Sequence, residues 1–554
     1  MAGKLEASEK KLEESERKLK ESEKKLEASG TKIEELEKEV ERLNEIIRNF
    51  QRRKFKSESE KSGYILQLGL FNEAERTADD VSGAQAQEEE VSVKEHRRRK
   101  KGKGIDDSAV ERITVHHERK TEEELRCPEC GRQMRETKPT VIEKLEYHPG
   151  KWVMEKHIIH NYECPSCSDA GGNPLKVPAA EMPELIQGSV CTPGVMALIF
   201  LEKFAKAVPL YRLEKALKSA GVYLSRQVMS FWFLSVMEIY IMPLVEIMAR
   251  DIKAAGIMYG DETTLKCISE EVPGNAYMWL QCTGPLSGRQ IYIFTYHRGR
   301  DGEFCRQLYE GYSGYLHCDG YSAYAGLENV TVARCWDHAR RRIVDALAAD
   351  PAKEKYEKCP DREAEAEFLS SNRGFALKKE LFGMVNRLYD LEREYRKKGM
   401  SPEEKKEARE KRSRPVTDEI RKFLDENTGK FPAKSKMGDA MQYLDNGWEG
   451  FLTFLEDGRL EISNARSERG IKNFVIGRKN FLFCDTPRGA EASAAAYSLM
   501  VTVKENGLKP YEYIKYILEE MMTMKNPSEE KYRELLPYSD KLPDYLRINK
   551  KSDD

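Results

Sequence analysis

Two CxxC pairs constrain the fold of this chain more than any other feature of its sequence. Cys127 and Cys130 form the first pair, and Cys164 and Cys167 form the second. Together they supply four thiolates, the ligand set that a structural Zn²⁺ binds in tetrahedral geometry. A bound Zn²⁺ would also supply folding free energy that so short a segment lacks by burial alone. We therefore predict a zinc-binding domain over residues 105–180.

Three histidines lie between the two pairs, His148, His157 and His160. Because four thiolates already fill a tetrahedral coordination sphere, we expect these histidines to be strand or surface residues. The alternative for the cysteines is four unrelated reduced thiols, which does not explain their paired spacing.

The length and charge of the chain indicate several domains without a uniformly basic surface. Its 554 residues are enough for about three or four domains. The 93 Lys and Arg residues nearly balance the 95 Asp and Glu residues, so contacts to nucleic acid must be local. We find no apolar run near the roughly 18 residues of a membrane span, and no signal-peptide core. We therefore expect a cytoplasmic protein with no membrane partner.

The first fifty residues carry a heptad repeat. Apolar residues recur every seven positions, at Leu5, Leu12, Leu19, Leu26, Ile33, Val40 and Ile47. The second heptad position that faces a partner helix is serine in the first half and Leu36, Leu43 and Phe50 in the second. This pattern predicts a coiled coil over residues 1–50, and with it a homodimer or higher assembly. A single solvated helix is the alternative.

Residues 51–104 have the composition of a charged linker. Near its end lies a basic block that includes Arg97, Arg98, Arg99 and Lys100. This block could contact the phosphate backbone of a nucleic acid. A solvated, flexible tether explains the same composition equally well.

Residues 185–250 have the pattern of a helical, helix-turn-helix-like region. One helix is predicted to end at Gly221, and Ser225 is placed to cap a second helix that begins at Arg226. In DNA-binding proteins of this form the second helix enters the major groove, so Ser225 and Arg226 are candidate DNA contacts. A plain helical hairpin packed on a neighbouring element is the alternative.

The next segment alternates between strand and helix patterns. Three strands are predicted near residues 256–268, 277–283 and 290–296. A helix, a fourth strand, a short helix, a fifth strand and a further helix follow, up to about residue 347. This order predicts a multidomain α/β protein with a mixed sheet.

Two aspartates stand out among these strands. Asp261 lies in an otherwise apolar strand, and Asp319 ends another strand 58 residues later. A buried carboxylate is costly to ionise unless it is paired or bound to a metal, so neighbouring strands would let the two share Mg²⁺ or Mn²⁺. Glu468 is the candidate third ligand, on a short helix before a basic loop at residues 477–480. Its alternative is a surface ion pair with Lys472.

Several motifs together resemble the transposases of the insertion-sequence IS66 family. They are GDET at Asp261, HCDGYSAY at Asp319, CWDHARRR from Cys335, and ISNARSERGIKNFVIGRKNFLF around Glu468. LFNEAE at residues 70–75, the CxxCG pair and NGLKPYEYIKYIL near the C-terminus are also similar to that family. The resemblance covers nearly the whole chain after about residue 52. The Ser-containing heptads before it look like an extension ahead of the family pattern.

The resemblance implies a DDE transposase with a ribonuclease-H-like catalytic core. It assigns the three catalytic, Mg²⁺-binding acids to Asp261, Asp319 and Glu468. It also implies a core in two parts, residues 251–344 and 461–500, separated by a helical insertion at 345–460 and followed by a C-terminal helical element at 501–554.

The predicted function is therefore that of a DNA transposase that binds terminal inverted repeats, cleaves the transposon ends and joins them to target DNA. Candidate phosphate contacts near the scissile bond are Arg469, Lys472, Arg478 and Lys479. The partners would be DNA, a second copy of the chain and, as the resemblance makes plausible, helper proteins of the same element. A nuclease with the same core and a dimeric zinc-containing DNA-binding regulator are the alternatives. Cys335 and His338 form a CxxH pattern that fits either a second metal or a buried core pair.

Overall fold

The computed structural model describes residues 111–148, 150–168, 174–269, 276–524 and 527–548. The predicted coiled coil at 1–50, the predicted linker at 51–104 and its basic block at 97–100 lie outside the described residues. The described chain is a mixed α/β protein with two sheets and many helices.

The first sheet carries both cysteine pairs. Its strands are β1 (Glu111–His117), β2 (Arg135–His148), β3 (Lys151–Ser168) and β4 (Pro174–Pro178). β1 runs parallel to β3, whereas β2 and β4 are antiparallel to it. The first cysteine pair lies between β1 and β2, and the second lies at the end of β3. One long strand, β3, therefore organises the zinc-binding sheet.

Four helices follow this sheet. They are α1 (Pro193–Phe200), α2 (Leu210–Ser219), α3 (Arg226–Val236) and α4 (Met242–Asp251). The Ser225 hydroxyl accepts a hydrogen bond from the N–H of Val228, which confirms its predicted role as a helix cap. A π-helical turn at Met237–Ile241 joins α3 to α4 without a break.

This joined helix corrects one expectation from the sequence. The segment Arg226–Ala254 is long and apolar enough, by length and composition, to cross a membrane. Charged and polar residues interrupt its apolar residues, so the segment contains no uninterrupted apolar run of the length of a membrane span. Phe233, Ile241 and Met248 are fully buried in the main hydrophobic core. Because a helix that is apolar on all sides is typical of a protein core, we interpret the segment as a core helix.

The second sheet contains the two predicted aspartates. Its strands are β5 (Ile257–Leu265), β6 (Ala276–Thr283), β7 (Tyr292–His297), β8 (Gly314–Cys318) and β9 (Val330–Arg334). Their spatial order is β7-β6-β5-β8-β9. The first three strands are antiparallel, and β8 and β9 run parallel to β5. β5 is central, which explains why its first four residues, at 257–260, are all buried.

Two helices accompany the strands of this sheet, and two more pack on it after a long helical excursion. The first two are α5 (Gly302–Tyr309), which connects β7 to β8, and α6 (Trp336–Ala348), which follows β9. The returning helices are α14 (Ala465–Phe481) and α15 (Pro487–Glu505). The hydroxyls of Ser498 and Thr502 on α15 accept hydrogen bonds from the backbone N–H groups of Phe294 and Tyr292 on edge strand β7. The helix thereby satisfies an edge that would otherwise be open to another strand.

The excursion between these parts is helical. Its helices are α7 (Ala352–Tyr356), α8 (Arg362–Ser371), α9 (Arg373–Lys397), α10 (Pro402–Ala408), α11 (Arg414–Asn427), α12 (Lys436–Asn446) and α13 (Trp448–Leu452). The chain ends with α16 (Pro510–Thr523) and α17 (Glu529–Glu534).

A buried arginine fastens the helical excursion to the chain that returns to the sheet. Arg409 is fully buried and donates to both carboxylate oxygens of Glu392, at 2.7 and 2.8 Å. It also donates to the carbonyls of Asp457 and Leu460, at 3.0 and 2.8 Å. Burial alone would raise the pKa of Glu392, but the hydrogen bonds and charge of Arg409 hold that pKa below its usual range. The pair therefore fixes the segment that leads into α14.

Candidate active site

The two aspartates lie opposite each other on neighbouring strands. In the parallel pairing of β5 with β8, Ile257 aligns with Tyr315 and Tyr259 with His317. Extending this register by two residues places Asp319, just after β8, opposite Asp261 on β5. Parallel strands end at the same edge of a sheet, so both carboxylates lie at that edge. Paired residues of β5 and β8 are 58 positions apart in the sequence, and Asp261 and Asp319 are separated by the same number.

Backbone amides orient both aspartate side chains. One oxygen of Asp261 accepts a hydrogen bond from the N–H of Glu262 at 2.9 Å, and Oδ1 of Asp319 accepts one from the N–H of Tyr321 at 2.8 Å. Each side chain retains free lone pairs after this contact, because a carboxylate can accept about four hydrogen bonds.

Glu468 comes to the same edge of the sheet from α14. Asn464, directly before this helix, is fully buried, and its Nδ2 donates to the carbonyl of Gly260 at 3.0 Å. Its carbonyl accepts a hydrogen bond from the N–H of Glu468 at 3.2 Å. Asn464 therefore connects the first turn of the Glu468 helix to the residue before Asp261.

The charge environment of Asp261 shows that the three acids interact. Burial raises the pKa of the Asp261 carboxyl to about 8, and the negative charges of Glu262, Asp319 and Glu468 contribute to the rise. Carboxylates that repel one another in this way are relieved by a bound cation.

Glu468 does not close on the aspartates in this conformation. Among the described residues, the ligand atoms of the three acids do not all lie within 4.8 Å of one another, whereas Glu468 forms such a group with Cys335 and His338. Its Oε1 lies 3.8 Å from Nε2 of His338 and 3.9 Å from the guanidinium of Arg341. Glu468 therefore contacts residues of α6, which differs from the alternative of a surface ion pair between Glu468 and Lys472.

The four cysteines have the geometry of a zinc site. The sulfur atoms of Cys127 and Cys167 are 3.9 Å apart, and those of Cys130 and Cys164 are 3.6 Å apart. Zn–S bonds of about 2.3 Å in a tetrahedron require sulfur atoms about 3.8 Å apart. A hydrogen bond from the N–H of Ser166 lowers the pKa of Cys164 to about 7. Neighbouring thiols raise the pKa of Cys167 to about 12, because sulfurs this close cannot all be ionised without a cation. The site fits a structural Zn²⁺.

Comparison with protein families gives matches along most of the described chain. The family model "Transposase IS66 family" matches residues 188–492, more than half of the chain. The chain belongs to the IS66 transposase family. The model of the zinc-finger binding domain of the IS66 transposase matches residues 124–168, and the IS66 C-terminal element matches residues 498–538. The resemblance found in the sequence motifs is thus confirmed.

Proteins of Sinorhizobium fredii are similar in sequence to this chain over much of their length. The chain is 25% identical to an uncharacterized protein, y4hP, over 486 residues, which cover 84% of this chain and 83% of the relative. It is 27% identical to a second uncharacterized protein, y4jD, over 418 residues, covering 72% and 75%.

Arg300 lies beside Asp319 and was not among the residues predicted from the sequence. It lies after β7, and its guanidinium forms an ion pair with Glu262 and lies 3.7 Å from Oδ2 of Asp319. It also stacks on the ring of Tyr321, 3.9 Å from the ring centroid. The Tyr324 hydroxyl donates to the other oxygen of Glu262 at 2.5 Å. No local sequence signal marks Arg300, because its contacts come from strands far along the chain.

The basic residues predicted around Glu468 fall into two groups. Arg469, Lys472 and Lys479 are exposed on α14. Arg478 is half-buried and donates to the Thr263 hydroxyl on β5 at 3.0 Å. The prediction of a loop at residues 477–480 is wrong, since these residues belong to the C-terminal end of α14. Arg478 thus ties that helix end to the sheet.

Ser225 and Arg226, the two residues predicted as DNA contacts, lie at the start of α3. Ser225 caps the helix through its hydroxyl, as described above. Arg226 is only 3% exposed, so its guanidinium is not presented on the protein surface. This burial argues against a direct contact between Arg226 and DNA.

Cys335 and His338 both approach the Glu468 helix. The thiol of Cys335 accepts a hydrogen bond from the N–H of Asn464 at 3.1 Å, and burial raises the pKa of that thiol to about 12. Nδ1 of His338 is buried with no hydrogen-bond partner among the described residues. The burial of Cys335 and its hydrogen bond from Asn464 fit the interpretation as a buried core residue.

Proposed function

We propose that this protein is a DDE transposase that cleaves the 3′ ends of its insertion sequence and joins them to target DNA. The observation that carries the proposal is the register that sets Asp261 opposite Asp319, with Glu468 held beside them by the bond from Asn464 to Gly260. Asp261 and Asp319 thus share one sheet edge, and α14 brings Glu468 toward that edge from a remote part of the sequence. The family to which the chain belongs supplies the reaction class.

The order of the second sheet supports a ribonuclease-H-like core. Three antiparallel strands continue into two parallel strands, and the central strand carries the first aspartate. Helices α5 and α6 connect or follow the later strands, and α14 returns to the sheet after the helical excursion. This order is compatible with the core that the resemblance to the family implies.

The donor set suits Mg²⁺ or Mn²⁺. Asp261, Asp319 and Glu468 offer only carboxylate oxygens, which are the ligands that these ions prefer. Bound there, a pair of such ions would activate the attacking oxygen and stabilise the leaving oxygen of an in-line phosphoryl transfer.

The residues of the chain would bind and orient the DNA. In the first step a water attacks the phosphodiester at each transposon end and releases a 3′ hydroxyl. In the second step that hydroxyl attacks a target phosphodiester, so one P–O bond forms as another breaks and no covalent protein intermediate is needed. Arg300 and Arg341, beside Asp319 and Glu468, would offset negative charge near the reacting phosphate.

An exposed stripe on α14 provides a path for the DNA backbone. At 3.6 residues per turn, Glu468, Arg469, Lys472, Ile476 and Lys479 fall within an arc of about 100° around the helix. The three basic residues are exposed, and so is Ile476. The cations would therefore line a strip of surface that begins at the proposed catalytic glutamate. Such phosphate contacts make binding fall steeply as salt rises.

The remaining parts would recognise the transposon ends and pair them. We propose that the zinc-binding sheet and the surface around Ser225 contact the terminal inverted repeats. The predicted coiled coil would join two copies of the chain, so that each binds one end. Helper proteins of the same element could assist.

A joining assay with pre-cut transposon ends tests this function against its alternatives. With Mg²⁺ and a supercoiled target, the purified protein should link the labelled 3′ ends to target DNA. A nuclease would give shortened or nicked DNA with no joined product. A DNA-binding regulator would shift the ends in a gel without any change in their covalent structure. Either of those results would remove the proposal.

A further inference from the structure

Histidine and glutamate side chains from three strands meet on one face of the zinc-binding sheet. His116 lies on edge strand β1 and is followed by Glu118, His160 lies on β3, and Glu136 lies on β2. His160 precedes Cys164 by four residues, which is about 13 Å along a strand. This His–Glu cluster is therefore separate from the four-cysteine site.

The distances in the cluster match those of a metal coordination sphere. Nε2 of His160 lies 3.3 Å from Nδ1 of His116 and 3.3 Å from Oε1 of Glu118. Nδ1 of His116 lies 3.8 Å from the same glutamate oxygen. Zn²⁺ bound by His and Glu at about 2.0–2.2 Å in a tetrahedron needs ligand atoms about 3.3–3.6 Å apart. The three atoms are already close to this spacing.

A hydrogen bond prepares His160 as a ligand. Its Nδ1 is hydrogen-bonded to Oε1 of Glu136, which fixes the proton on that nitrogen. Nε2 then carries the lone pair and points toward His116 and Glu118. A carboxylate that holds the far nitrogen of a histidine is the usual outer contact of a metal-binding imidazole.

The opposite face of the sheet offers a comparison. There, Nδ1 of His157 lies 3.1 Å from Nε2 of His117, and Nε2 of His157 lies 3.1 Å from a Glu155 oxygen. Both nitrogens of His157 are already engaged, and its side chain is only 11% exposed. Unlike His116 and His160, this second histidine pair does not form, with a third His, Cys, Asp or Glu among the described residues, a group whose ligand atoms all lie within 4.8 Å of one another.

We propose that His116, Glu118 and His160 bind a second divalent ion of the zinc class. Two imidazoles and one carboxylate are ligands that suit Zn²⁺ better than Mg²⁺. Three protein ligands leave a fourth position, and the half-exposed side chains of His116 and Glu118 leave it open to water or an added ligand. The ion would link β1 to β3 across 44 residues of sequence, and so fasten a strand that lies at the sheet edge.

Metal content of the full-length protein tests this site. After dialysis against buffered Zn²⁺, we expect two equivalents of zinc per chain, one in the four cysteines and one in the cluster. The double variant His116→Gln/His160→Gln should retain one equivalent. The control His117→Gln/His157→Gln, which changes the pair on the other face, should retain two.

Cobalt loading shows that the variant keeps its fold. Thiolate-to-cobalt absorption in the near ultraviolet reports the four-cysteine site alone, so it should be unchanged in His116→Gln/His160→Gln. Loss of one equivalent with that absorption intact supports the proposal. A single equivalent in the unaltered protein, or two equivalents in His116→Gln/His160→Gln, would overturn it.

Discussion

Nδ2 of Asn464 donates a hydrogen bond to the carbonyl of Gly260 at 3.0 Å, across 204 residues of sequence. Gly260 immediately precedes Asp261, and Asn464 immediately precedes the helix that carries Glu468. The bond therefore joins the two ends of the proposed catalytic core at one point. The backbone N–H of the same asparagine donates a hydrogen bond to the thiol of Cys335, which directly precedes α6. The start of α6 is therefore anchored at this point as well.

Replacing Asn464 by alanine should loosen the position of Glu468. Loss of this buried hydrogen bond should lower the free energy of unfolding by about 1 to 3 kcal/mol. Joining of pre-cut ends should fall more than binding of the same ends. Asn473→Ala is the matched control, since Asn473 lies on the same helix and, among the described residues, its side chain donates only to carbonyls of that helix. Urea unfolding and a joining assay check the pair, and equal behaviour of both variants would contradict the role of Asn464.

Asp261→Asn should change how stability depends on pH. The folded pKa of Asp261, about 8, lies above its unfolded value of 3.8, so the folded state binds the extra proton between these pH values. Stability contributed by this group is therefore lost as pH rises through 8. Without Mg²⁺, the asparagine variant should be more stable than the unaltered protein by about 1 to 3 kcal/mol above pH 8. The advantage should shrink toward pH 5.

Thermal unfolding at several pH values measures this effect. Asp345→Asn, at an exposed position on α6, serves as the control and should not alter the pH profile. A stability difference between Asp261→Asn and the unaltered protein that is constant with pH would show that Asp261 is not perturbed as described.

Removing the buried guanidinium of Arg409 should destabilise the helical excursion. Arg409→Met leaves the buried Glu392 carboxylate with only the half-buried Lys405 as an ion-pair partner among the described residues. Breaking a buried pair costs about 3 to 5 kcal/mol, and the remaining Lys405 contact should place the effect toward the lower end of that range. Arg412→Met is the control, because Arg412 pairs with Glu394 at the exposed surface. Its effect should stay within about 1 kcal/mol. Denaturant unfolding distinguishes the two, and a small effect of Arg409→Met would contradict the anchoring role.

Several parts of this structure follow from local sequence patterns. The CxxC pairs, the apolar strand around Asp261 and the cap at Ser225 depend on residues close together in the chain, so spacing alone reveals them. The strands of the second sheet were also located correctly. The sequence alone could not show that Asp261 and Asp319 share a sheet edge, because that conclusion requires their two strands to be neighbours.

Other parts depend on contacts that no local pattern records. Arg300 meets Glu262 because β5 and the segment after β7 come together in three dimensions. The pairing of His116 with His160 needs the parallel register of β1 and β3, and a sequence offers no rule for that register. The loop expected at residues 477–480 is a helix instead, because the Arg478 side chain bonds to β5 and supports the last turns.

The zinc content of cysteine variants tests the metal site in the first sheet. Cys127→Ser should lose one equivalent of zinc and make the zinc-binding sheet sensitive to proteolysis, since the bound ion contributes to its folding. Cys359→Ser, which changes a cysteine in the helical excursion, should keep the full zinc content. Full zinc content in Cys127→Ser would show that these thiols do not bind the ion.

The most direct test of the proposed chemistry is Mg²⁺-dependent joining of labelled pre-cut ends by Asp261→Asn, Asp319→Asn and Glu468→Gln. Glu456→Gln is the control, because Glu456 lies outside the three acids and bonds to Tyr315. We expect each of the three variants to bind the ends like the unaltered protein and to form no joined product, while the control joins normally. Joining at the unaltered rate by any one of the three would contradict the assignment of these acids as the catalytic centre.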